Sequence, residues 1–360
     1  MKKLFFLLLL ALTFNLQAAD KKQYKYYDAS KMTVVNKAQA NGNPYTRLDV
    51  DKYPDVKDRV RIYLNHPTGM AIKFKTNSPV IKAKWETADT INRSNQTANA
   101  TKGLDLYIKE NGEWLFAGIG TPHYNGGVHS ATLVSDLAPG MHECMIYLPL
   151  FMDLKKLEIG VEEGSKLEYE GGFERSPIVA MGSSFTHGAA SSRTGMPWPA
   201  QLSRILGVNV ANLGTSGLQK MEPFFAEIIA DTDADMFIFD TFSNPSAEEI
   251  RARFKPFIKI IRAKHPNTPL VFLETFKRSN SNFDTKKRKF EADKKAAAEQ
   301  VIAEAMATDP NIYYLAPGLY AGEDTDNTAD GIHPSDWGYH NAAANIAPKI
   351  RGLMNKYGIK

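Results

Sequence analysis

The chain has 360 residues, 43% of them hydrophobic, beyond the length at which single cores stop growing, so two domains are expected. Its formal charge of +4 falls to +2 without Lys2 and Lys3, which leaves no electrostatic footprint for a nucleic-acid partner. Cys144 is the only cysteine, so an intrachain disulfide is excluded, and it reads as a small buried hydrophobe.

At the start, Lys2 and Lys3, an apolar run over 4–12 and Gln17-Ala18-Ala19 form the charged, apolar and small-residue regions of a secretory signal peptide, so residues 1–19 read as a removable leader. The run is shorter than the ~20 residues of a transmembrane helix, and no later segment approaches that length. An exported protein is expected, periplasmic, secreted or at the cell surface, with no integral membrane segment in the mature chain.

Between 20 and 172 the signals are short and strand-like, at 46–50, 59–64, 70–75, 81–85 and 144–148, separated by turn residues. Asn111-Gly112 joins 104–108 to 114–116 as a hairpin. A jelly-roll-like β-sandwich follows, either binding sugar or packing against the rest of the chain. From 173 to 360, apolar strands at 178–181, 208–213, 236–241, 270–274 and 312–315 alternate with longer amphipathic stretches. The stretch 248–264 sets Ile250, Phe254, Phe257, Ile258 and Ile261 on one helical face. This alternation predicts an α/β domain with a doubly wound parallel sheet covered on both sides. Residues 286–307, opened by Lys286-Lys287-Arg288-Lys289, read as a charged surface helix.

Open parallel sheets bind ligands outside the carboxyl ends of their strands. The residues just past those ends are Ser184, Gly214, Asn244, and Asp330 with His333. Alone, each is a common turn residue; their order and shared position carry the reading. A serine hydroxyl is a poor nucleophile until a histidine takes its proton and a carboxylate fixes the imidazole tautomer. Ser184 is therefore the candidate nucleophile, His333 the base and then acid, and Asp330 its orienter. The N–H groups of Ser184 and Gly214 and the Asn244 amide are the candidate oxyanion donors. The Gly-x-Ser-x-Gly elbow of α/β-hydrolases does not fit, because Thr186 stands where its second glycine would be, and here the acid and histidine share one turn.

The arrangement resembles the SGNH hydrolases, or GDSL esterase and acylhydrolase superfamily, named for serine, glycine, asparagine and histidine in four motifs. Gly182-Ser183-Ser184 stands where that family usually has Gly-Asp-Ser, Asn212-Leu213-Gly214 carries the glycine, Phe242-Ser243-Asn244-Pro245 the asparagine, and Asp330-Gly331-Ile332-His333 the Asp-x-x-His. Gly103-Leu104-Asp105-Leu106-Tyr107 is similar to a Gly-x-Asp-Leu-Tyr motif of exported bacterial members that carry a leading β-sandwich. The resemblance implies a flavodoxin-like SGNH hydrolase fold behind that sandwich. Ser183 replaces the usual aspartate, and Phe242 and Pro245 replace the glycine and aspartate that flank the asparagine. Proline has no N–H to donate, so residue 245 cannot hold this loop through its nitrogen.

Several residues carry weaker signals. His187 either touches substrate at the cleft mouth or is a loop residue with no fixed duty. Trp198 and Trp337 read as core packing, Glu222 as a helix-start carboxylate, and Asn92, Asn95 and Asn99, each in Asn-x-Ser/Thr, as polar turn residues. No metal-ligand spacing or phosphate loop occurs, so neither metal nor cofactor is expected. The resemblance implies a serine esterase acting on small acyl groups, and export beside a sandwich domain points to acetyl esters on carbohydrates, the substrate being an acylated small molecule or polysaccharide. The alternatives are a lipase- or arylesterase-type acylhydrolase, and a glycan-binding protein whose hydrolase half is inactive.

Overall fold

Apolar residues at every second position build the first half into two facing sheets. The computed structural model describes residues 22–88, 94–123, 125–315 and 326–360; the expected leader and Asn92 lie outside them. The strands of this half are β1 (Tyr24–Asp28), β2 (Thr33–Val35), β3 (Ala71–Thr76), β4 (Ile81–Thr87), β5 (Leu104–Glu110), β6 (Glu113–Gly120), β7 (Val128–Val134), β8 (His142–Tyr147), β9 (Leu154–Glu162) and β10 (Leu167–Glu168). One sheet has the order β1-β9-β4-β7; the other runs β10-β3-β8-β5-β6, with β2 beside β3. Ile81, Ala83 and Trp85 of the first sheet meet Ile72, Phe74, Leu106 and Ile146 of the second in one core. The Asn111-Gly112 turn has φ of +51° and +86°, as a two-residue hairpin loop requires.

Two of the expected strands are absent. Residues 46–50 form no strand, and 59–64 lie in helix α1 (Asp58–Asn65), which buries Val60, Tyr63 and Leu64 at helical spacing. A short apolar run does not distinguish the two periods by itself. With Leu48, Val50, Tyr53 and Val56, this helix packs not into the sandwich but against Val179, Met181, Ala211 and Leu213 of the second half. Segment 36–66 is thus an arm that crosses from one half to the other. A short helix, α2 (Ala98–Lys102), precedes β5.

The second half is a five-stranded sheet of β11 (Ile178–Gly182), β12 (Val210–Gly214), β13 (Met236–Asp240), β14 (Leu270–Leu273) and β15 (Ile312–Leu315). All neighbours are parallel and the order is β12-β11-β13-β14-β15, the flavodoxin-like order. Its helices are α3 (Ser184–His187), α4 (Trp198–Leu206), α5 (Pro223–Ala230), α6 (Ala247–Arg262), α7 (Thr285–Met306) and α8 (Asp336–Tyr357). The helices α5, α6 and α7 cover one face together with the arm, and α4 and α8 cover the other. A Ser246–Glu249 capping box starts α6, and Ile250, Phe254, Phe257 and Ile261 turn inward as expected. Trp198 is buried, but Trp337 is 57% exposed, because it lies on the side of α8 opposite Tyr339, Ala342 and Ala343. Strand order reverses between β11 and β13, and a ligand crevice opens at such a switch point.

Candidate active site

The β11 strand is apolar to Met181 and ends at Gly182, in register with Gly214 of β12 and Asp240 of β13. A Cβ on Gly182 would lie 2.4 Å from Thr186 Oγ1 and 2.7 Å from Asp240 Cβ, so only glycine lets the chain turn here. Ser183 caps α3, its Oγ accepting the Phe185 N–H at 3.1 Å. Ser184 is then the first helical residue, where a backbone N–H has no intrahelical acceptor.

The acid and base come from the turn before α8. Ala329 N–H donates to His333 C=O at 2.8 Å and closes the turn. Asp330 Oδ1 accepts the N–H groups of Ile332 and His333 at 3.0 and 2.7 Å, and Oδ2 accepts His333 Nδ1–H at 2.8 Å. His333 Nε2 lies 3.0 Å from Ser184 Oγ. With Nδ1 donating to the carboxylate, Nε2 is the lone pair that faces the serine hydroxyl, the orientation a general base needs. Burial pushes the Asp330 carboxyl up, but the His333 N–H, the Asn95 amide and the imidazole outweigh it and hold the group well below the usual carboxylate range. The Phe185 ring meets the His333 ring edge-on at 5.8 Å.

The oxyanion candidates fare differently. Asn244 lies just beyond β13, and its side-chain Nδ2 is buried with no acceptor among the described residues. The Gly214 N–H instead donates to Asn212 Oδ1 at 2.8 Å, so this expected donor is engaged within its own strand. Glycine is needed there for space, since a Cβ would lie 2.2 Å from the His187 nitrogen.

Asp240, unremarked as a site residue in the sequence, supplies what the loop around Asn244 needs. Its Oδ1 accepts Ser243 Oγ–H at 2.6 Å; its Oδ2 accepts Ser183 Oγ–H at 2.6 Å, Thr186 Oγ1–H at 3.1 Å and Ser183 N–H at 3.2 Å. One fully buried carboxylate therefore ties the nucleophile turn to the Asn244 loop. Burial pushes its pKa up, against the hydrogen bonds from Ser183 and Ser243. The Ser243 carbonyl also accepts from Arg278 Nη2 at 2.6 Å and Lys294 Nζ at 3.1 Å. The loop is anchored without any N–H from residue 245, and α7, expected to lie on the surface, buries Lys294 for this contact.

His187 is not at the cleft mouth. It is wholly buried at the join between the halves, Nδ1 accepting the Ser216 N–H at 3.2 Å and Nε2 lying 2.8 Å from Leu150 O. Its ring stacks on Phe151 at 4.0 Å. As the fourth residue of a one-turn helix, it points behind the nucleophile, toward the sandwich.

The sandwich makes two further contacts here. Asp105, fully buried, pairs with Arg193 Nη1 at 2.6 Å and accepts the Gly195 N–H at 2.8 Å, while Tyr107 Oη accepts from Arg193 at 2.8 Å. The Gly-x-Asp-Leu-Tyr segment thus clamps the loop after α3. Asn95, which reads in the sequence as a polar turn residue, donates from Nδ2 to Asp330 Oδ2 at 2.9 Å. Only its Asn-x-Ser/Thr pattern marks it in the sequence, with no signal of this partner. Among the described residues, no group of three or more His, Cys, Asp or Glu side chains is placed to hold a metal, and no helix is long and apolar enough to cross a membrane.

Two family models match the chain: the GDSL-like lipase/acylhydrolase family over residues 175–351, and the N-terminus of SGNH hydrolase-type esterases over 24–167. Among solved structures, a Bacteroides ovatus protein assigned as a GDSL-like lipase is 40% identical, with a TM-score of 0.85 over 93% of this chain and 98% of its own. A salicylyl-acyltransferase from a tetracycline biosynthetic pathway is 18% identical, with a TM-score of 0.71 over 92% of this chain and 97% of its own. A family two carbohydrate esterase from Clostridium thermocellum, solved with cellohexaose, is 13% identical, with a TM-score of 0.54 over 81% of this chain and 94% of its own. The last two share the fold. No curated protein matches the chain.

Proposed function

Since the chain belongs to the GDSL-like lipase/acylhydrolase family, we propose that it is an exported serine esterase that removes small acyl groups, acetyl above all, from carbohydrates. The observation that carries the reading is the line from Ser184 Oγ to His333 Nε2 at 3.0 Å and from His333 Nδ1 to Asp330 at 2.8 Å, set at the sheet's switch point.

Ser184 Oγ attacks the ester carbonyl while its proton passes to His333 Nε2, and Asp330 steadies the imidazolium. The carbonyl oxygen, now an anion, takes hydrogen bonds from the Ser184 N–H and Asn244 Nδ2. Collapse breaks the ester C–O bond, and His333 returns its proton to the departing alcohol. Water then attacks the acyl-enzyme, giving its proton to His333, and release of the acid restores the Ser184 hydroxyl.

The acetyl and carbohydrate parts rest on less: the leader-like residues 1–19, the leading sandwich, and a fold shared with a carbohydrate esterase solved with cellohexaose. Acetate release from a panel of acetylated polysaccharides, with a p-nitrophenyl ester chain-length series, tests them. Faster turnover of octanoate than acetate would sink the carbohydrate-acetyl reading, and equal rates for the parent and Ser184→Ala would exclude Ser184 as nucleophile.

A further inference from the structure

We propose that the β-sandwich completes the active site through Asn95, a positioning residue that holds the Asp330 carboxylate, and through it His333, in line with Ser184. The inference rests on the esterase reading above, and concerns a residue 235 positions from its partner.

The geometry leaves the amide one orientation. Turning Oδ1 toward the carboxylate would set two acceptors against each other, so Nδ2 faces Asp330 and donates. His333 Nδ1–H donates to the same oxygen, Oδ2. The 3.4 Å between Asn95 Nδ2 and His333 Nδ1 is therefore two donors converging on one acceptor and not a bond between them. With Oδ1 taken by the N–H groups of Ile332 and His333, each carboxylate oxygen holds two donors, and rotating it away from the imidazole would break all four bonds. Of the described side chains that fix it, Asn95 alone comes from the sandwich.

The mount is firm. Thr97 caps α2, accepting the Ala100 N–H at 3.0 Å, and donates its hydroxyl to Ser192 C=O at 2.6 Å. Ser192 in turn donates its N–H to Asp336 at 2.9 Å, at the start of the helix that follows His333. Beyond α2, the N–H groups of Leu150 and Phe151 donate to Ala100 and Thr101. Asn95 thus sits on a strut joined to the catalytic half beside the residue it orients, which is how a supporting shell keeps a proton-transfer geometry tight.

The test uses the full chain with Asn95→Ala and Asn95→Asp. Alanine removes the donor; aspartate keeps the shape, removes the donor and adds a second negative charge. Asn95→Ala should lower kcat on p-nitrophenyl acetate about tenfold with KM within about twofold, since the loss falls on proton transfer and not on binding. Phosphorylation of Ser184 by an organophosphate should slow in proportion. Asn95→Asp should fall at least as far and move the acid limb of kcat/KM to higher pH, a change that loosened packing would not produce. It also carries the test should alanine disturb the fold. Both variants within about twofold of the parent in kcat and phosphorylation rate, with the acid limb unmoved, would overturn the inference. A parent whose Ser184 is not labelled at all would overturn the esterase reading itself, a separate result.

Discussion

Ser183 donates its hydroxyl to Asp240 at 2.6 Å, across the switch point between β11 and β13. The carboxylate that the Gly-Asp-Ser pattern sets beside the nucleophile is carried here by the end of the neighbouring strand. It serves both sides at once, because its other oxygen accepts from Ser243. Restoring the familiar residue should therefore do harm. Ser183→Asp would press a second carboxylate against a buried one and lower unfolding free energy by about 3–5 kcal/mol. Combining it with Asp240→Asn should recover part of the loss, with a coupling above about 1 kcal/mol in a denaturant-unfolding cycle. Strictly additive losses would count against this exchange of roles.

The buried Nδ2 of Asn244, which has no acceptor among the described residues, makes a kinetic prediction. Asn244→Ala should lower kcat by about 10² to 10³, with KM little changed, because the amide meets its acceptor only as the oxyanion forms. A loss under about tenfold in steady-state p-nitrophenyl acetate hydrolysis would show that this loop does not face the reacting carbonyl.

His187 and Asp105 should act on stability. His187→Ala empties a stacked, hydrogen-bonded site and should cost about 3 kcal/mol. Asp105→Ala leaves Arg193 without its buried partner and should cost about 3 kcal/mol or more. Chemical denaturation measures both. A raised KM with unchanged stability for His187→Ala would restore it as a substrate contact.

Asp330 predicts an acid-side dependence. Its folded pKa is held below the ordinary 3.8, so the unfolded chain binds the proton first as pH falls. The contribution is fully present above 3.8 and disappears as pH drops through the lower folded value. The stability difference between the parent and Asp330→Asn should thus shrink between about pH 4 and about pH 2, read by urea unfolding at each pH. A difference that stays constant would place Asp330 outside this network.

Ser184, Asp330 and His333, which the fold brings together, and the candidate Asn244 are legible because parallel sheets put ligand-binding residues just past their strands, and apolar runs mark where strands end. Asp240 is not, since it reads as the last residue of such a run and its meaning depends on Ser183, 57 residues away. The Asn95 partner is more distant still, and segment 59–64 reads as a strand although it is helical because one short apolar run fits either period. Periodicity tells which face of an element is apolar; it does not tell which element the face will meet. That is also why the sequence does not show that His187, three residues past Ser184, faces the sandwich and not the cleft mouth.

The arm at 36–66 decides how the molecule comes apart. Peeling the halves from each other would uncover Leu48, Val50, Tyr53 and Leu64 and strand Arg47, a fully buried cation whose donors reach the carbonyls of Asn212 at 2.8 Å and Gly214 at 2.9 Å. Unfolding of either half is therefore expected to drag the other with it, as a single transition in denaturant by different probes. For an evolving lineage, the sandwich is not a module to be exchanged: a new one would have to bring its own arm, its own buried cation and its own partner for the catalytic acid.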